Sequence, residues 1–250
     1  MEKAWLTHKG RVREHNEDSV GLFQSDHGVM MAVVADGMGG HQAGDTASRT
    51  AIRVMQRELH ALSHEMETDR RQTMIQEAVE VANHEIYNMA TQKAECKGMG
   101  TTMIASILGK NEVVLAHIGD SRAYLLHKDG LYQLTEDHSL VNVLKQHGEI
   151  SEEEARVHPH RNVIVRAVGT DEEVEADVIV SPWYKEDLLL LCSDGLYNMV
   201  SVDQIGKILT SPASLREKAE QLLEKALDAG GTDNISIVLV KNDGIIREKK

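Results

Sequence analysis

Four short apolar runs in this chain meet an aspartate at one end, and that pattern limits the possible folds more than any other feature. Met31 to Ala35 runs into Asp36-Gly37-Met38-Gly39-Gly40-His41, and Leu188 to Cys192 runs into Ser193-Asp194-Gly195. Val113 to Ile118 ends on Gly119-Asp120, and Gly230-Gly231-Thr232-Asp233-Asn234 leads into Ile235 to Val240. Apolar runs of this length, punctuated by glycine, suit buried strands. Asp-Gly is also a common hairpin turn, but a hairpin needs a second strand at once. After Gly40 come Ala47, Ala51, Val54, Met55, Leu59 and Leu62, which is helical spacing. The expectation is therefore a strand that ends by presenting Asp36 in a glycine-rich loop unable to cover it. For Gly119-Asp120 a plain hairpin turn stays open as the alternative.

If these aspartates converge, they repel one another. Two unit charges about 4 Å apart cost roughly 4 kcal/mol at an effective dielectric near 20. Either their pKa values rise or a cation neutralises them. A ligand set made only of oxygen suits magnesium or manganese, and not zinc or copper.

The 250 residues suffice for one domain with a substantial core, and no linker rich in proline, serine or charge divides them. Acidic residues outnumber basic ones by 40 to 27, a formal charge of -13, which is the wrong bias for a nucleic-acid partner. Cys96 and Cys192 form neither a ligand pair nor a disulfide framework, and Cys192 reads as a buried structural thiol. The amino terminus has no signal-peptide core and no stretch reaches the length of a membrane span. A reduced, soluble, cytoplasmic monomer is expected.

In chain order, Ala4 to Thr7 and Ser19 to Gln24 read as strands around a polar stretch, Arg11 to Asp18. That stretch is either a solvated loop or a pairing of a phosphate-binding Arg13 with metal-holding Glu17 and Asp18. Helices are expected at about 46–62 and 71–91, then strands at 103–108, 113–118 and 123–126, with an ordinary turn at Asp129-Gly130. Leu140, Val143 and Leu144 signal a helix, and Ser151 with Glu154 forms the capping box of another. This polar segment, roughly 136–162, is a plausible flap beside the site. Strands are expected at 163–168 and 176–180, helices at 202–209 and after Ser214 with its Glu217 box, and a stop at Gly230. Residues 1–242 form the expected single domain, with a frayed tail over 243–250. His60, His64, His84, His158 and His160 read as surface histidines. Helices in two groups between runs of strands imply an α+β layering with antiparallel sheets.

At this point the residues resemble a known family. Arg13-Glu14-His15-Asn16-Glu17-Asp18, Val33 to Gly40, Gly100-Thr101-Thr102 and Ile118 to Arg122 occur in order. They are followed by Leu134 to Ser139, Arg166 to Gly169, Leu190 to Gly195 and Gly231 to Asn234. Together they resemble the metal-dependent protein phosphatases of type 2C, over about residues 3–241, and the Met-Gly-Gly-His version after Asp36-Gly37 is similar to the bacterial branch. The resemblance implies a four-layer α-β-β-α sandwich, two stacked antiparallel sheets between helices, with two Mn²⁺ or Mg²⁺ ions at one end and a possible third. It implies that Asp36 bridges both ions and that the Gly37 carbonyl serves one. Asp194 and Asp233 would serve the other, and Glu17 and Asp18 would act through water. Asp120 with Asp194 would hold the third ion, and Arg13 would grip phosphate. Its substrates would be phosphoserine and phosphothreonine proteins, opposing a serine/threonine kinase.

The chemistry is coherent without the family. Phosphate monoesters hydrolyse very slowly unaided, and two ions about 3.5–4 Å apart lower the pKa of a bridging water and aim it in line at phosphorus. Arg13 suits the equatorial oxygens as a bidentate fork. One departure is Met38: animal members carry a histidine there, thought to protonate the leaving oxygen. His41 is the candidate for that task, which stays unassigned. Two other classes compete: a silent phosphoprotein-binding module on the same fold, and a metal-dependent phosphodiesterase or nuclease, which the acidic surface disfavours.

Overall fold

The computed structural model describes residues 1–39, 43–128 and 130–244. Its strands are β1 (Glu2–His8), β2 (Asp18–Gln24), β3 (Met30–Met38), β4 (Gly100–Thr101), β5 (Met103–Leu108) and β6 (Glu112–Ile118). The rest are β7 (Arg122–His127), β8 (Gly130–Gln133), β9 (Asp177–Pro182), β10 (Leu188–Cys192) and β11 (Ile235–Lys241). Helices are α1 (Ala43–Glu58), α2 (Thr68–Gln92), α3 (Leu140–Gln146), α4 (Glu152–Val157), α5 (Asp194–Tyr197), α6 (Val202–Thr210) and α7 (Leu215–Asp228). One sheet has the order β1-β11-β10-β7-β8 and the other β2-β3-β5-β6-β9, with β4 on the end of β3. Every pairing is antiparallel.

The unbroken apolar runs follow from the layering. In β3, Met31, Val33 and Ala35 pack with Ala47, Ala51 and Val54 of α1, while Met30, Ala32 and Val34 pack with Leu189, Leu191, Val238 and Val240 of the facing sheet. In β10 and β11, Leu188, Leu190, Cys192, Ile235, Ile237 and Leu239 turn the other way, onto Ile205, Ala219, Leu222 and Ala226 of α6 and α7. Strands covered on both faces have no solvent side to mark with polar residues, so alternation vanishes from the sequence. The result is α-β-β-α, as expected. Burying roughly 25 cal/mol per Å² of apolar surface, three such interfaces supply the main force holding the layers together.

Several expectations are corrected. β3 does not stop at Asp36 but continues to Met38, because Gly37 and Met38 find partners in Thr101 and Gly100. Asp194 opens a short helical turn, α5, which is not among the expected elements. The strand expected at 163–168 does not form: only the bridges Thr101↔Val168 and Ser139↔Ile164 appear. Val163 and Val165 are 41% and 51% exposed, so the apolar alternation there has no core to face. Asn242 and Asp243 are held and not frayed: Asn242 is buried and exchanges backbone bonds with Glu186 and Asp187, and Asp243 pairs with the terminal amine at 2.7 Å. Residues 245–250 lie outside the described residues, as does Asp129 of the expected turn. Both expected capping boxes, Ser151/Glu154 and Ser214/Glu217, are present, with a third at Ser201/Gln204.

Candidate metal centre

Each acidic residue of interest sits at or within a few residues of a strand end. Asp18 is the first residue of β2 and lies opposite Asp36 in the β2–β3 register. Asp120 occupies the turn between β6 and β7, Asp194 follows β10, and Asp233 precedes β11. Because β10 and β11 are neighbours in one sheet, and β2 and β3 in the other, stacking the sheets brings all five to one end.

The electrostatics record that convergence. Burial, then repulsion from Asp18, Asp194, Asp120 and Asp233, holds the Asp36 carboxyl well above the usual carboxylate range. Asp194 is raised in the same way by burial and by Asp120, Asp233 and Asp18. Burial pushes Asp18 and Asp120 up to about 6. Glu17 is raised as well, by burial first, with Arg13 opposing.

The backbone around the carboxylates is set by hydrogen bonds that sequence reasoning missed. Ser193 Oγ donates to Asp18 Oδ2 at 2.7 Å and accepts from Ser236 N at 2.9 Å. Asn234 spans the loop before β2: its Nδ2 donates to the carbonyls of Lys9 and His15, and its Oδ1 accepts from Glu17 N at 2.8 Å. Thr102 Oγ1 accepts from Asp36 N at 3.0 Å and meets Ser121 Oγ at 2.7 Å. Asn234 stands in the quoted Gly-Gly-Thr-Asp-Asn block, yet nothing in its neighbours announces the loop that it ties.

The residues present fit divalent cations. Glu17 Oε1, Asp18 Oδ1 and Asp194 Oδ1 are buried carboxylate oxygens without a hydrogen-bond partner, which is costly unless a cation completes them. Gly37 and Gly44 bring backbone against backbone. A Cβ on Gly37 would stand 2.1 Å from Gly44 O, and one on Gly44 would stand 2.9 Å from both Gly37 O and Glu17 Cδ. Only glycine at both positions leaves the Gly37 carbonyl beside the Glu17 carboxylate. The donor set is all oxygen, which suits Mg²⁺ or Mn²⁺. Asp233 shares its carboxylate between Asn234 N at 2.8 Å and the half-exposed Arg13 guanidinium at 2.7 Å. Arg13 is therefore at the site, but on a carboxylate. His41 lies outside the described residues. A groove of about 1140 Å³ opens from Asp120, Asp194 and Asp233 toward Asp137, Arg161 and Tyr197.

Among the other histidines, His60, His84 and His160 are exposed, and His64 and His158 half-buried. His117 and His138 carried no expectation, yet both are buried and gather with Asp177.

Comparison with known proteins agrees with this geometry. Residues 7–230 match the family profile described as Protein phosphatase 2C. A serine/threonine phosphatase, stp, from Listeria monocytogenes is 43% identical over 243 residues, covering 97% of this chain and 96% of its own. The solved S. agalactiae serine/threonine phosphatase superposes with a TM-score of 0.90 at 36% identity, covering 95% of this chain and 98% of its own. The catalytic domain of the protein phosphatase PstP, solved in complex with 2 manganese ions, has a TM-score of 0.84 at 34% identity, covering 96% and 97%. The chain belongs to the protein phosphatase 2C family, the metal-dependent protein serine/threonine phosphatases. No helix among the described residues is long and apolar enough to cross a membrane.

Proposed function

We propose that the carboxylate end of the two sheets is the catalytic centre, and that it removes phosphate from phosphoserine and phosphothreonine side chains of proteins. The observation that carries this is the set of orphaned buried oxygens on Glu17, Asp18 and Asp194 around an Asp36 whose ionisation its neighbours oppose. Asp36, the Gly37 carbonyl, Asp194 and Asp233 are the residues that would hold two ions, Mn²⁺ or Mg²⁺. Asp120 with Asp194 would hold a third. Glu17 and Asp18 would act through water bound to those ions. When bound, such ions supply an activated water and neutralise charge on the transferring phosphoryl group.

The remaining work belongs to the chain itself. Arg13 exchanges one anion for another, leaving Asp233 for the phosphate oxygens, where its planar fork gives two parallel hydrogen bonds. Ser193 holds the Asp18 carboxylate and Asn234 holds the Glu17 backbone, so that both acidic groups are positioned in advance. Met38 has no transferable proton, which leaves His41 as the candidate donor to the leaving oxygen. Residues 1–242 act as one domain and as a monomer, with the segment 136–162 flanking the groove where the phosphoprotein lies. A serine/threonine kinase supplies the phosphorylated substrates. The deciding experiment is turnover of a phosphothreonine peptide during a manganese titration, repeated with chelator and with Asp36→Ala and Asp233→Ala. Activity that survives chelation, or either substitution, removes the proposal.

A further inference from the structure

His117, His138 and Asp177 bring three ligand-type side chains together outside the carboxylate centre, with their ligand atoms within 4.8 Å of one another. A transition-metal site is the first idea, and two observations oppose it. Arg166 Nη1 already stands 2.9 Å from Asp177 Oδ1 and 3.2 Å from His138 Nε2, so a cation occupies the position. His138 Nδ1 accepts from Gly119 N at 3.1 Å, which places the ring proton on Nε2, facing Asp177 Oδ2 at 3.1 Å. A neutral histidine that bound metal through Nε2 would carry its proton on Nδ1, and would confront the Gly119 N–H with a second donor.

The same contacts define a clamp. His138 meets Gly119 twice, since its own N donates to Gly119 O at 2.8 Å while its ring accepts from Gly119 N. One residue earlier, Asp137 takes Arg122 as a bidentate pair, with contacts of 2.8 and 2.6 Å. Gly119 and Arg122 are the two ends of the turn that carries Asp120. Gly119 has a φ of +101°, and a Cβ there would stand 2.6 Å from Thr102 Cγ2, so the turn is seated against the residue between β4 and β5. Tyr197 Oη donates to Asp120 O at 2.9 Å and its ring lies under the Arg122 guanidinium, 3.6 Å away. His117 has no hydrogen-bond partner at either ring nitrogen and packs against His138 at 4.8 Å between ring centroids.

We propose that Asp137 and His138, with Asp177 fixing the His138 tautomer, form a positioning clamp that aims Asp120 at the metal centre and so sets its affinity for the ion that Asp120 serves. The clamp rests on the assignment of Asp120 as a ligand made above. Partners of this kind, one step removed from the ligand, typically change metal affinity by about 10–100-fold when lost.

The test is calorimetric titration of Mn²⁺ into the full chain, with thermal melting to confirm folding. His138→Gln can still reach Asp177 but has no acceptor for Gly119 N, and Asp177→Asn favours the opposite tautomer. Both are expected to weaken the weakest Mn²⁺ step about tenfold. His138→Asn keeps an acceptor at the Nδ1 position and is expected to restore it. Nitrogen-15 spectra of the wild-type imidazoles should show His138 protonated at Nε2. Unchanged Mn²⁺ affinity in His138→Gln and Asp177→Asn, or an Nδ1–H tautomer, overturns the clamp, as does a His138→Asn variant no better than His138→Gln. Asp120→Asn separates the two assignments: if it too leaves Mn²⁺ binding unaltered, the ligand role of Asp120 falls and the clamp with it, and if it weakens binding while the clamp variants do not, only the clamp falls.

Discussion

Asp18 and Asp36 are register partners across the β2–β3 ladder, and burial followed by the charge of Asp18 holds the Asp36 carboxyl well above the usual carboxylate range. Directly opposed residues of antiparallel strands point to the same face with Cβ atoms about 4.5–5.5 Å apart. Two buried like charges so placed favour either a proton on one of them or a cation between them. The arrangement sets metal binding and proton binding against each other, and the first two predictions come from that opposition.

The first concerns stability and pH. Burial pushes Asp18 and Asp120 up to about 6, above the ordinary carboxylate value of 3.8, and Asp36 and Asp194 are likewise held well above that value. A carboxylate with a raised pKa makes the native state the better proton binder, so stability falls as pH rises between 3.8 and about 6 and beyond. For Asp18, 5% exposed, that is on the order of 3 kcal/mol. In chelator the melting temperature should therefore be about 5 °C or more higher at pH 5 than at pH 7.5. Excess Mn²⁺ should reverse the order, because ligands must be deprotonated to bind. A melting temperature in chelator that does not vary with pH contradicts the repulsion.

The second concerns Asp36→Asn, which removes one charge from the cluster while keeping the shape. In chelator the variant should be more stable than wild type by about 1–3 kcal/mol at pH 7.5, since each close pair of charges costs up to roughly 4 kcal/mol. The same variant should lose its Mn²⁺-induced stabilisation and at least about 10³-fold of its phosphatase activity. Denaturant unfolding with and without Mn²⁺ reads both effects. A variant that is destabilised in chelator would mean that Asp36 is a structural residue first.

How much of this was visible in the sequence depends on the range of the contacts. Capping boxes such as Ser151/Glu154 and Ser214/Glu217 join residues only three positions apart, and both are legible. The apolar runs before Asp36 and Asp194 were legible because strands buried on both faces need apolar residues at every position. The convergence of the five aspartates was suggested by repetition and by the family resemblance; periodicity alone says nothing about which strand ends meet. Val163 to Val168 reads as a strand because alternation identifies a pattern, not a partner; its backbone bonds scatter, Val163 to Leu140, Val165 to His138 and Val168 to Thr101. His138 and Asp177 lie 39 residues apart and look ordinary in isolation, so no local signal joins them. Asn234 was quoted only as part of a block, since its role depends on carbonyls at Lys9 and His15 at the other end of the chain.

Gly37→Ala provides the third prediction. The new methyl would overlap Gly44 O, Gly44 C and Glu17 O at 2.1, 2.5 and 2.6 Å, all backbone atoms that no rotamer change can clear. Either the start of α1 or the loop carrying Glu17 must move, a change of the size that costs more than about 3 kcal/mol. Activity and Mn²⁺ affinity should fall together, as both the carbonyl and the Glu17 carboxylate are displaced. Unfolding in denaturant should show a matching loss of stability. A stable Gly37→Ala protein with intact Mn²⁺ binding would show that the close approach of Gly37 and Gly44 is not required.

The fourth prediction separates substrate binding from metal binding at Arg13. Its guanidinium is half exposed, at the rim, and its partner is Asp233 Oδ2 at 2.7 Å, a carboxylate that is also needed for an ion. A positive group on a ligand competes with the cation for that ligand. Arg13→Ala should therefore leave Mn²⁺ affinity unchanged or somewhat tighter in calorimetry. The substrate loses a charge-assisted pair of hydrogen bonds worth about 1.5–3 kcal/mol, so KM for a phosphothreonine peptide should rise about 10–100-fold. Arg13→Lys keeps the charge but not the planar fork, and should recover only part of that loss. If Arg13→Ala instead weakens Mn²⁺ binding by as much as it raises KM, the guanidinium holds Asp233 in place and does not grip the phosphate.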